Sequence, residues 1–115
     1  MQTPLEIHFE GLDPSEAVSA RVHEEAKRLE RYHSRMTSCR VVIGVAHRHQ
    51  HKGFLYSARL HITVPGGKEV VVSRAPDERH AHEDAYVAIR DAFKAAQRQL
   101  KSLQEKMRPK RGGAD

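Results

Sequence analysis

Four cations stand at a spacing that could do chemistry. Arg90, Lys94, Arg98 and Lys101 lie at i, i+4, i+8 and i+11, and at about 100° per residue a helix would gather them on one side. Such a row, with neighbours ~5–6 Å apart, matches the repeat of a phosphodiester backbone better than it matches one small anion. Arg90 and Arg98 offer two donors each to a phosphate, while Lys94 and Lys101 act as point charges. The same pattern also describes a solvated helix face. Two features favour binding: only Asp91 and Glu105 border the row, and Arg108, Lys110 and Arg111 continue it. A second set, Lys27, Arg28 and Arg31, is interleaved with Glu24, Glu25 and Glu30, which can pair with it at i,i+3 or i,i+4. If the two helical segments lie side by side, Lys27 and Arg31 are expected to join the first row as a second rail.

Other chemistries are less well supported. His47, His49 and His51 alternate and would share one face of an extended segment, and imidazole binds zinc, copper or nickel. No cysteine lies nearby and no carboxylate lies between Ala46 and Glu69, so the run reads as a weak, adventitious metal binder, and no metal site or cofactor is assigned. Ser15 fits helix initiation better than nucleophilic catalysis, and Cys39, at the start of an apolar strand, fits a buried, inert thiol. The carboxylates Asp13, Glu16, Glu83 and Asp84 stand at helix starts, where the macrodipole favours them. Pro65-Gly66-Gly67-Lys68 lacks the form of a phosphate-binding P-loop. No enzyme is expected. With few aromatics, stacking of single-stranded bases has no support in the pattern.

The elements that must position these residues follow from periodicity. Leu5, Ile7 and Phe9 alternate with Glu6, His8 and Glu10, which predicts a strand with one buried face. Asp13-Pro14-Ser15-Glu16 predicts a helix start capped by Asp13 with Pro14 in the first position, and Val18, Val22, Ala26 and Leu29 carry that helix over residues 14–32. Residues 39–46 form a β-branched run with Val41, Ile43 and Val45 on one face. After a polar run at residues 47–53, alternation resumes from Phe54 to Val64, turns at Pro65-Gly66-Gly67, and returns from Glu69 to Arg74 as a hairpin. From beyond Asp77 to about Met107 an apolar stripe through Ala85, Ile89, Ala92, Phe93, Ala96, Leu100 and Leu103 predicts a long second helix. The order is β-α-β-β-β-α. It predicts an α+β fold with two helices on one face of a four-stranded mixed sheet, in which the first strand, the first helix and the second strand form a parallel crossover. Residues 1–107 are assigned to one domain and 108–115 to a mobile basic tail.

Composition agrees. A chain of 115 residues with 38% hydrophobic, 30% charged and 5% aromatic residues supports a single modest core. One cysteine closes no intramolecular disulfide, and no N-terminal apolar stretch suggests a signal or membrane anchor, so a cytoplasmic protein is expected. Net charge is +5 with pI about 9.7, which points to a polyanionic partner. The charge is uneven: residues 1–33 hold four basic against seven acidic residues, whereas Lys94 to Arg111 holds seven basic residues against Glu105 alone.

Leu29-Glu30-Arg31-Tyr32, Leu60-His61-Ile62-Thr63-Val64-Pro65-Gly66-Gly67, and above all His82-Glu83-Asp84-Ala85-Tyr86-Val87-Ala88-Ile89 leading to Gln97-Arg98-Gln99-Leu100-Lys101 resemble the bacterial ribosome hibernation-promoting factor / ribosome-associated inhibitor A family over nearly the whole chain. The resemblance implies a layout similar to double-stranded RNA-binding domains. It also implies binding to 16S-type rRNA of the small subunit, and to the 70S ribosome, in the channel that mRNA and the A- and P-site tRNAs would occupy. Idle ribosomes would thereby be held inactive. Arg31, Arg98 and Lys101 match positions where the family usually has a cation; Arg90 and Lys94 rest on helical geometry. Family members usually carry Asp-Lys-Leu where this chain has Lys94-Ala95-Ala96. The expected RNA-binding set is Lys27, Arg28, Arg31, Arg90, Lys94, Arg98, Lys101 and Arg108, with no membrane and no small-molecule substrate as partner. A generic duplex-RNA module and a metal-responsive protein built on His47, His49 and His51 stand as alternatives.

Overall fold

Alternating side chains build the sheet, and the structure, a computed structural model, describes residues 4–33, 35–47, 54–74 and 84–107. Strand β1 (Leu5–Glu10) leads into helix α1 (Glu16–Tyr32), followed by β2 (Ser38–His47), β3 (Phe54–Val64), β4 (Lys68–Arg74) and α2 (Ala85–Met107). The strands lie in the order β1-β2-β3-β4. β1 pairs parallel to β2, with Ile7 opposite Val41. β2–β3 and β3–β4 are antiparallel, with Val41 opposite Leu60 and Leu60 opposite Val72. The parallel step follows because α1 carries the chain back over the sheet before β2 begins. The β3–β4 turn needs Gly66 and Gly67, whose φ values of +89° and +74° place both in the left-handed region.

One face of this sheet is covered. Cys39, Val41, Ile43, Ala58, Leu60, Ile62, Val70 and Val72 form a continuous core with Val18, Val22, Ala26 and Leu29 of α1 and Ile89, Ala92, Phe93, Ala96 and Leu100 of α2. Each such Val, Leu or Ile contributes about 1.5–3 kcal/mol by leaving water. α2 lies over β3 and β4 and packs beside α1, which meets β1. The two helices run in the same sense: Arg21 near the start of α1 reaches Tyr86 near the start of α2, and His33 after α1 meets Gln104 near the end of α2.

The start of α1 differs from the expectation. Ser15, not Asp13, is the cap: its backbone is extended, its Oγ accepts from the Val18 N–H at 3.2 Å, and its carbonyl accepts the first helical bond from Ser19. Ser and Asp are equally good caps, so the local pattern did not separate them, and Pro14 precedes the helix instead of opening it. At the second helix, Asp84 fills the same role, its Oδ1 accepting from the Tyr86 N–H at 2.8 Å.

Candidate nucleic-acid interface

The cations of α2 are presented by a helix whose inner side is sealed. Arg90, Lys94, Arg98 and Lys101 are all exposed, while Ala88, Ile89, Ala92, Phe93, Ala95, Ala96 and Leu100 are buried. An i, i+4, i+8 row advances about 40° around the helix at each step, so the ladder slants across the outer ridge. Arg90 and Lys94 line the groove between α2 and α1. Arg98 instead lines the groove toward β4, with Arg74 and Glu69, and Lys101 lines the cavity below the end of α1, with His33 and Arg35. The four therefore share the solvent side of α2 without sharing one groove. Among the described residues, Lys94, Arg98 and Lys101 have no carboxylate partner, whereas Arg90 lies 3.4 Å from Asp91.

The second rail is made by different residues from those expected. The groove between the helices, about 320 Å³, is lined on the α1 side by Arg21, Glu25, Arg28, Leu29 and Tyr32. Lys27 and Arg31 are exposed but stand outside it. The reason is angular: relative to the core residues Val18, Val22 and Leu29, positions 21, 28 and 32 fall on the flank that turns toward α2, whereas positions 27 and 31 fall on the outer crest. A helical wheel drawn from the α1 core places Arg21, Arg28 and Tyr32 on one flank, and packing alone decides that this flank meets α2.

Glu25 organises this rail. It is buried at 7% exposure, accepts from Arg21 Nε at 3.2 Å and lies 3.6 Å from Arg28 Nη1. One carboxylate thus holds two guanidiniums on the wall of the groove and leaves the remaining donors of both directed elsewhere. Arg21 also lies over the Tyr86 ring, 5.7 Å from its centroid. The lined stretch from Tyr86 to Lys101 spans ~22 Å of helix. Arg21, Arg28, Arg90 and Lys94 stand along its first part, and Arg35 and Lys101 at its end.

That end holds His33, which caps α1 through its N–H to the Leu29 carbonyl. Its Nδ1 is buried without a hydrogen-bond partner among the described residues. Burial pushes the imidazole below its ordinary pKa, with a side-chain hydrogen bond to Gln104 opposing. Cys39 is sealed in the core, and burial pushes its thiol up to about 12, which leaves no thiolate for nucleophilic work near neutrality. Among the described residues no group of three His, Cys, Asp or Glu side chains could hold a metal ion. His49, His51 and Arg108 lie outside the described residues. Among the described helices, none is long and apolar enough to cross a membrane.

A family model described as sigma 54 modulation protein / S30EA ribosomal protein matches residues 5–108. The chain belongs to this family. It is the family of ribosome-associated, hibernation-type factors that the sequence resembles. A ribosomal subunit interface protein from Coxiella burnetii has the same fold, with a TM-score of 0.72 at 11% identity over 90% of this chain and 99% of that one. The N-terminal domain of Protein Y from Thermus thermophilus superposes with a TM-score of 0.62 at 20% identity, over 88% and 99% of the two chains. No curated relative matches the sequence.

Proposed function

We propose that this protein is a non-enzymatic, cytoplasmic translation inhibitor that binds 16S-type rRNA of the small ribosomal subunit in the mRNA/tRNA channel and occludes the A- and P-site tRNAs. The observation that carries this reading is the cation-lined path on the helical face. Arg21 and Arg28 from α1 face Arg90 and Lys94 from α2 across one groove, and Arg98 and Lys101 extend the charge along the ridge. Lys27 and Arg31 on the crest of α1, and Arg108 beyond α2, complete the set that meets rRNA phosphates. A set of guanidinium and ammonium groups spread along one helical ridge and its flanking grooves binds folded nucleic acid by displacing condensed counterions, without reading sequence. Membership of a ribosome-associated family, and the likeness to a protein described as lying at a ribosomal subunit interface, supply the particle on which that nucleic acid is found.

The test is sedimentation of the purified protein with isolated small subunits at rising salt, with P-site tRNA as competitor. Co-sedimentation that weakens steeply with salt and yields to excess tRNA is expected. Binding to a plain RNA duplex as tightly as to the subunit would favour the generic duplex module instead.

A further inference from the structure

The chain has three tyrosines, and two are occupied. Tyr56 packs against the core, and Tyr86 lies beneath the Arg21 guanidinium. Tyr32, the last residue of α1, is 64% exposed and lines the groove beside Arg28, Lys94 and Gln97. An aromatic ring left this open at the mouth of a cationic groove is a platform of the kind on which bases stack, since every base offers a π face. Arg28 stands one helical turn before Tyr32, about 5–6 Å away along the same flank, which suits a base and its own phosphate. Gln97, on the opposite wall, carries both a donor and an acceptor suited to the edge of a base.

We infer that Tyr32 stacks an unpaired nucleotide at the end of the interhelical groove, with Arg28 and Lys94 holding its phosphate. This rests on the ribosomal-RNA reading above and adds to it: the surface recognises a base extruded from its helix as well as the backbone. A binder of continuous duplex would leave Tyr32 idle, because paired and stacked bases offer it no free face.

Because the chain has no tryptophan, Tyr32→Trp places a single indole reporter at the site. The full-length protein is titrated with isolated small subunits, with a short RNA hairpin bearing an unpaired loop, and with the fully paired duplex of the same length. Quenching of the indole fluorescence by subunits and hairpin, and its absence with duplex, is expected. Tyr32→Leu should weaken hairpin binding roughly 5- to 100-fold, and Tyr32→Phe should stay within about twofold of the parent. The dependence on salt should be the same in all three proteins, because no phosphate contact is lost. Hairpin binding unaffected by Tyr32→Leu, or a bound complex with the indole unquenched, overturns the inference. Loss of subunit binding in Tyr32→Leu without any effect on the hairpin also overturns it, since Tyr32 would then touch ribosomal protein. If hairpin and stacking behave as expected but subunits do not bind the parent protein, the ribosomal reading falls and the stacking site stands.

Discussion

The two broad surfaces of this molecule treat charge in opposite ways. On the open face of the sheet, polar and charged groups find partners within the protein: Arg59 Nη2 donates to both oxygens of Glu10 at 3.1 and 3.2 Å, His61 lies 2.8 Å from Glu69, and His8 lies 3.2 Å from Glu6. The hydroxyls of Thr37 and Ser38 both close on Thr63. Among its charged residues in the described structure, Arg40 alone lacks such a partner. On the helical face, among the described residues, no carboxylate forms an ion pair with Lys94, Arg98 or Lys101, and the buried carboxylate of Glu25 is shared by two arginines. Both faces carry arginine and both are exposed, so composition does not separate them. Side chains on one face of a sheet come within reach along a strand, as His8 and Glu6 do, on the diagonal between neighbouring strands, as His61 and Glu69 do, or across an intervening strand, as Arg59 and Glu10 do over β2, and can neutralise in pairs. A helix that repeats cations at i, i+4 and i+8 stacks like charges, which an external anion must relieve.

The contrast can be broken most forcefully on α2. Replacing Arg90, Lys94, Arg98 and Lys101 together by Gln should weaken subunit binding by roughly two orders of magnitude or more and lower the slope of log K against log salt by about 3. Circular dichroism should be unchanged, since all four are exposed. Unaltered sedimentation of that variant would remove the helical face from the argument. A smaller effect is expected of Glu25→Gln, which frees Arg21 and Arg28 from their shared anchor. The folded state should lose about 1 kcal/mol in urea unfolding, and a Tm equal to the parent's would show that the carboxylate organises nothing.

The pH dependence of the groove's end sharpens the comparison further. His33 resists protonation when folded, so the unfolded chain binds the extra proton and stability falls as pH drops through and below 6.5, its ordinary value. His33→Gln should therefore show a shallower loss of unfolding free energy between about pH 7 and pH 5; an identical slope would contradict the burial argument. The smallest change belongs to the sheet. Arg59→Gln with Arg40→Gln should leave the salt slope of binding where it was, and cost about 0–1 kcal/mol of stability, as exposed ion pairs do. A slope reduced as much as by two α2 substitutions would mean that the sheet also faces the polyanion.

Much of this was legible before any coordinates. Period-two alternation in Leu5-Glu6-Ile7-His8-Phe9-Glu10 and in the run from Phe54 to Val64 specified strands and their inner faces, because a pleated strand has only two sides. The repeat through Ile89, Phe93, Ala96 and Leu100 specified a helix with cations outward, because burying apolar area dominates the choice of face. What the linear order left open was everything that depends on a second element. Arg21 and Tyr32 become parts of a groove only when α2 packs alongside α1, and Glu25 becomes a shared anchor only once that packing buries it. Lys27 and Arg31 looked equivalent to Arg28 as neighbours in sequence and were separated from it by rotation about the helix axis. Local periodicity decides which side of each element is wet; only tertiary packing decides which wet residues face each other, since that depends on distances between segments far apart along the chain.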